Sequence, residues 1–101
     1  MKASSLAPRV HLFVCANRRD ESSPLGTGCA DAGDALFDAL KREVAARRSY
    51  SRVWVTKTAC MGICPKAGAT CIRYPAQAIY TEAEASDAPR IYAEAEENEE
   101  P

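Results

Sequence analysis

The sequence predicts an α/β unit: a small mixed sheet of about four strands, made of a parallel β-α-β unit and an antiparallel hairpin, with one main helix and a weaker C-terminal one. Three observations predict it. Two short β-rich apolar runs, Arg9-Val-His-Leu-Phe-Val-Cys15 and Arg52-Val-Trp-Val-Thr-Lys-Thr58, flank a stretch with helical apolar spacing. Strand, helix, strand in that order implies parallel strands and a right-handed crossover. Two further β-rich runs separated by Pro75-Ala76 imply the hairpin.

The first run predicts a central strand. Its near-continuous apolarity implies cover on both faces, with Phe13, and Trp54 on the second strand, in the core. His11 reads as a packed or half-exposed histidine, not a ligand. Ala16 to Gly28 is a loop punctuated by Asn17, Asp20, Ser22, Ser23, Pro24, Gly26 and Gly28, and it is long for a connection in so small a domain. The helix runs from Asp31 or Asp34 to about Arg48, with Ala35, Leu36, Leu40, Val44 and Phe37 as its apolar stripe. Acidic residues at its start and Arg42, Arg47 and Arg48 toward its end suit the macrodipole. Gly33 is unfavourable inside a helix and argues for the later start. Ser49 to Ser51 turn the chain into the second strand. Gly68 to Tyr74 and Gln77 to Tyr80 form the hairpin. Residues 87–97 read as a last helix, with Asp87 as cap, Pro89 in the first turn, and Ile91 and Tyr92 facing the body.

At 101 residues and 47% hydrophobic, the chain supports one domain with a core that does not need disulfides. The expected organisation is a loose lead-in over 1–8, the domain over 9–81 and an acidic tail over 82–101. No apolar run approaches membrane-spanning length, and residues 1–8 lack the apolar stretch of a signal peptide, so the expectation is a cytoplasmic protein without membrane contact. The net charge of −1 hides an asymmetry. Residues 82–101 hold eight acidic side chains against Arg90 alone, and residues 1–81 hold twelve Lys/Arg against six Asp/Glu. The tail reads as a solvated terminus, or as a screen over a basic docking face. The basic excess is not interleaved with aromatics, so nucleic-acid binding is not expected.

In a reducing compartment, five cysteines point to metal or redox chemistry more than to disulfides. Cys15 ends the first strand, Cys29 precedes the helix, and Cys60-Met-Gly-Ile-Cys64-Pro65 follows the second strand. In a parallel β-α-β unit, C-terminal strand ends and the helix N-terminus share one edge of the sheet, so these four fall in one region. Gly26, Gly28 and Gly62 let backbone N–H groups approach a ligand. Cys71 lies mid-strand and reads as a buried free thiol. Four thiolates suit zinc or an iron–sulfur cluster equally by ligand type. Structural zinc usually takes two tight Cys pairs and only one is present, which tilts the choice toward a cluster. Met61 and Ile63 read as apolar cover for such a site or as simple packing. Arg18, Arg19, Lys57 and Lys66 are a possible basic rim for an acidic partner, against the plainer reading of solvated charge.

The frame Cys15…Gly-Thr-Gly-Cys29…Cys60-x3-Cys64-Pro, followed by Ile72-Arg-Tyr74-Pro75, resembles the thioredoxin-like [2Fe-2S] ferredoxins over residues 9 to about 81. It is also similar to the ferredoxin-like subunit of respiratory NADH dehydrogenases, where the first pair is spaced more closely. The resemblance implies a thioredoxin-like fold and a [2Fe-2S] cluster on Cys15, Cys29, Cys60 and Cys64. It also implies a homodimer and a one-electron carrier, not an enzyme, serving redox partner proteins. The Ala/Glu-rich stretch over 82–101 departs from the family, which usually ends in a clearer amphipathic helix. The alternatives are a thiol–disulfide oxidoreductase of the same fold, against which the absent Cys-x-x-Cys at a helix start speaks, and a zinc-stabilised interaction module.

Overall fold

Alternating apolar side chains along four short runs build one sheet in the order β2-β1-β3-β4. The structure, a computed structural model, describes residues 1–16, 30–59 and 68–97. Strand β1 (Val10–Cys15) is followed by helix α1 (Ala30–Arg47), β2 (Val53–Thr58), β3 (Ala69–Tyr74), β4 (Ala78–Ala83), a 3-10 turn (Ala85–Asp87) and helix α2 (Ala88–Glu97). β1 pairs parallel with β2, from Val10 opposite Val53 to Cys15 opposite Thr58. It pairs antiparallel with β3, Val14 opposite Cys71, and β3 pairs antiparallel with β4. The expected α/β architecture, mixed sheet and two helices are all present.

Both helices lie on one face. Val10, Leu12 and Val14 of β1 and Val53 and Val55 of β2 meet Leu36, Leu40 and Val44 of α1. The stripe of α1 differs from the sequence reading at two positions: Ala39 is buried and Ala35 is exposed. The helix also starts earlier than Gly33 suggested, at Ala30. It ends at Arg48, whose φ of 51° breaks the helical path, and the Ser49 N–H donates back to Val44 at 3.1 Å.

The opposite face carries no helix among the described residues. Its side chains are His11 and Phe13 of β1, Trp54 of β2, Ile72 and Tyr74 of β3 and Ile79 of β4. The expectation of cover on both faces of β1 is therefore corrected. Phe13 is half-buried and Trp54 is 37% exposed, so neither is core in the sense expected. The central strand reads as apolar on both faces because its open-face residues pack sideways on each other. The His11 ring stacks on Phe13 at 4.0 Å and meets the edge of Trp54 at 5.6 Å, and Phe13 meets Tyr74 at 5.7 Å. Partial burial lowers the pKa of His11, and its Nε2 bonds Thr56 Oγ1 at 2.7 Å.

The C-terminal stretch is part of the packed unit, which continues past residue 81. β4 reaches Ala83, and α2 buries Ala88, Ile91, Tyr92 and Ala95 in the common core. Asp87 accepts from the Glu84 N–H at 2.9 Å, holding the turn into α2. Two of the acidic residues are engaged well away from any docking face. Glu96 pairs with Arg47 at 2.8 Å, at the far end of α1, and Glu94 accepts from Tyr80 at 2.9 Å and from Arg90 at 3.1 Å. Burial and the Glu94 bond push the Tyr80 hydroxyl up to about 12. The same bond, with Arg90 beside it, holds the Glu94 carboxyl low. Among the described residues no helix is long and apolar enough to cross a membrane.

Tyr92 and Ser49 share a hydrogen bond of 2.5 Å, and both residues are fully buried. Tyr92→Phe keeps the ring and strands the Ser49 hydroxyl, so it should cost about 1–2 kcal/mol. Urea unfolding of the variant beside the wild type measures this directly, and an unchanged midpoint would mean the bond contributes nothing.

Candidate metal centre

The topology converges on one edge of the sheet. Cys15 is the last residue of β1, and its neighbour Ala16 donates to the Thr58 carbonyl at 2.9 Å, so β1 and β2 end side by side. α1 starts there and β3 enters there, because Val14 stands opposite Cys71 near the start of β3. The segments 17–29 and 60–67 therefore both leave from this edge and both return to it. Cys29, Cys60 and Cys64 lie in those two segments, outside the described residues. Covalently, Cys29 is one peptide bond from Ala30 of α1, and Cys60 is one from Ala59.

Cys15 is fully buried, and its Sγ donates to the Ala59 carbonyl at 3.2 Å. The thiol thus already contacts the residue that precedes Cys60. Helix α1 is pressed against the same strand end. A Cβ built on Gly33 would lie 2.0 Å from the Cys15 carbonyl oxygen and 2.9 Å from Ala16 Cα. Only a residue without a side chain permits that approach. The positive end of the α1 dipole is brought beside Cys15, which favours negative charge there. The second return point is also a glycine: Gly68 has φ of 71°, and a Cβ there would meet the Glu82 backbone at 2.5 Å.

One side chain at this edge has an unused proton. Thr58, opposite Cys15 in the register, has its Oγ1 buried with no partner among the described residues. A buried thiol at the junction of three elements, an orphan hydroxyl on the paired residue of the next strand and a helix N-terminus pressed close together suit a thiolate-bound metal group. No cluster of three or more His, Cys, Asp or Glu occurs among the described residues.

Of the flanking cations, Lys57 is half-exposed and engaged, 3.0 Å from Asp34 Oδ1 and 4.8 Å above the Phe37 ring. Arg18, Arg19, Lys66, Met61 and Ile63 lie outside the described residues. Cys71 is buried on the helix-covered face, its thiol pushed up to about 12 by burial, as a free core cysteine should be. Sequence reasoning passed over Thr58 and took Gly33 only as a helix liability. Their positions, two residues before Cys60 and four after Cys29, were the available signals.

Comparison with known proteins places the fold. A thioredoxin-like [2Fe-2S] ferredoxin from Aquifex aeolicus, in its wild-type crystal structure, matches with a TM-score of 0.79 at 26% identity, over 94% of this chain and 92% of that one. A second structure of a thioredoxin-like [2Fe-2S] ferredoxin from the same organism matches with a TM-score of 0.78 at 24% identity, over 94% of this chain and 86% of that one. No family model matches the chain, and no curated protein matches it. The chain has the fold of the thioredoxin-like [2Fe-2S] ferredoxins, and the resemblance seen in its cysteine frame extends to its three-dimensional structure.

Gly33→Ala tests the close approach. Helix propensity alone favours alanine by about 1 kcal/mol. The clash with a backbone carbonyl, which cannot rotate away, should outweigh this and leave a net loss of about 3 kcal/mol. Thermal and urea unfolding decide it, and a stabilised variant would show that helix and strand separate freely.

Proposed function

We propose that this chain is an electron carrier that holds a [2Fe-2S] cluster on Cys15, Cys29, Cys60 and Cys64 and passes single electrons between redox partner proteins. The observation that carries this reading is that the described elements flanking both cysteine-bearing segments end at the edge where Cys15 is buried, in a fold matched by [2Fe-2S] ferredoxins. Two solved variants of the Aquifex ferredoxin replace, in turn, two cysteines four positions apart by serine, the spacing of Cys60 and Cys64. Such a cluster, when bound, supplies a one-electron site. The chain's own work is to keep the Cys15 sulfur out of water and to fix the strand end with the Gly33 contact. It also offers positive dipole and hydroxyl donors to thiolate charge. No bond of a substrate is made or broken in this reading, so the chain is a carrier and not an enzyme. The two described cysteines, Cys15 and Cys71, are free thiols, which suits a reducing cytoplasm.

The same reading takes the carrier as a homodimer joined through the open sheet face. The exposed parts of Trp54, Tyr74 (41%) and Ile79 (53%) form an aromatic and aliphatic surface without carboxylates or ammonium groups, beside His11, whose pKa desolvation lowers. Permanent interfaces are apolar and aromatic, whereas transient redox encounters are small and wet. Such a face meets its own copy without like-charge repulsion, so a second copy is the occupant it suits.

Anaerobically purified protein is expected to be red-brown, with visible bands that bleach on dithionite and an S = ½ EPR signal that appears. Cys60→Ser or Cys64→Ser should abolish or alter these bands, and Cys71→Ser should leave them. A colourless protein with zinc, or with no metal and titratable thiols, would refute the cluster. In sedimentation velocity the wild type should run at twice the 10.9 kDa chain mass. The Trp54→Lys, Ile79→Lys double variant should run as a coloured monomer. A monomeric wild type would rule out the interface.

A further inference from the structure

We propose that the Thr58 hydroxyl is the hydrogen-bond donor to the Cys15 sulfur in its metal-bound state, and that it raises the reduction potential of the bound cluster. The inference rests on the electron-carrier reading and deepens it. It begins with the register. Thr58 and Cys15 are paired residues at the ends of adjacent parallel strands, tied by the Ala16 N–H to Thr58 carbonyl bond of 2.9 Å. Paired residues on neighbouring strands point to the same face and lie about 5 Å apart. The Thr58 and Cys15 side chains thus leave the same face of neighbouring strands.

The second observation is that the hydroxyl has nothing to do. Its oxygen is buried and has no partner among the described residues. Buried hydroxyls are almost always bonded, and valine would fill the same space in a strand with no such cost. Thr70, buried on the β3 side and one residue on from the Val14–Cys71 pair, already has a partner, so it is not the spare donor.

The third observation is what metal binding does to Cys15. Its proton now serves the Ala59 carbonyl at 3.2 Å. A metal-bound cysteine is a thiolate, so that proton leaves and the sulfur becomes purely an acceptor. Among the described residues, the one at this strand end with an uncommitted O–H is Thr58, whose hydroxyl makes no bond to the sulfur in this structure and turns toward it once the sulfur is a metal-bound acceptor. A donor aimed at a ligand sulfur stabilises the state with more negative charge, which is the reduced one. The sign follows: the bond favours electron uptake.

The test is an equilibrium redox titration of the cluster-loaded full chain, followed by EPR. Thr58→Val should lower the midpoint potential, by about 59 mV if electron affinity falls tenfold. Thr58→Ala should shift it the same way, and Thr58→Ser should stay near wild type. A wild-type midpoint in either hydroxyl-less variant with full iron content overturns the proposal. Cluster loss from both hydroxyl-less variants, with Thr58→Ser still loaded, again assigns the role to the hydroxyl. Loss from all three overturns it, since Thr58 then acts by packing. A colourless wild type is a different failure, of the carrier reading itself, and is seen before any variant is made.

Discussion

The contact between Gly33 and the Cys15 carbonyl is the constraint on which the rest of the arrangement depends. With no Cβ to hold them apart, helix and strand meet backbone to backbone. That one approach sets where α1 begins, where β1 stops and which way the helix dipole points. Magnitudes show what holds the pair closed. The half-exposed Lys57–Asp34 pair beside it is worth about 0–1 kcal/mol. Burying each of Leu36, Leu40 and Val44 against the β1 and β2 valines contributes about 1.5–3 kcal/mol. Apolar packing along the helix therefore supplies the force, and the glycine decides how close it brings the backbone to Cys15.

The sheet has two unlike faces, and each serves a different need. The helix-covered face contains nearly all of the fully buried side chains. It closes at its C-terminal end with paired polar groups: Tyr92 with Ser49, and Tyr80 with Arg73 at 2.8 Å and Glu94 at 2.9 Å. These bonds tie α2 both to the turn before β2 and to the hairpin, so the last helix locks the order of the whole chain. On the open face the described side-chain bond is His11 Nε2 to Thr56 Oγ1 at 2.7 Å, between adjacent strands and not to a helix. The aromatic residues there pack edge-to-face among themselves and stay partly exposed. The edge where Cys15 is buried lies at the ends of these strands, perpendicular to both faces, so the proposed open-face dimer would leave that edge uncovered.

Much of this was legible in the sequence. The β-α-β order, the hairpin, the free buried Cys71 and the common edge at which β1, β2, β3 and the start of α1 meet all follow from period, punctuation and topology. What was not legible has physical causes. α2 looked weakly amphipathic because two of its four buried positions, Ala88 and Ala95, are alanines. Alanine fills close helix contacts well but adds little to any hydropathy pattern. Trp54 and Phe13 looked like core because composition cannot say how many faces of a sheet carry helices. Gly33 looked like a defect because propensity measures an isolated helix, and its value here comes from what the helix touches. Cys29, Cys60 and Cys64 lie outside the described residues, so the sequence and the topology of the flanking elements remain their whole support.

The two described cysteines show why burial alone does not make a ligand. Both are fully inaccessible to solvent. Cys71 sits among core side chains on the helix face. Burial there drives its thiol up to about 12 despite the opposing charge of Arg73. A thiolate at that position would have no adequate solvation, and the proton stays on. Cys15 is equally dry, yet its surroundings are built from polar backbone and dipole: the Ala59 carbonyl that accepts a hydrogen bond from the thiol, the α1 N-terminus held in place by Gly33, and the Thr58 hydroxyl with no partner among the described residues. The helix dipole and the hydroxyl can replace water around a charged sulfur; the carbonyl oxygen, which has no proton to give, cannot. What sets Cys15 apart from the core cysteine Cys71 is therefore which polar groups the fold has brought near the buried sulfur, and β1 carries Cys15 to the edge where they are gathered.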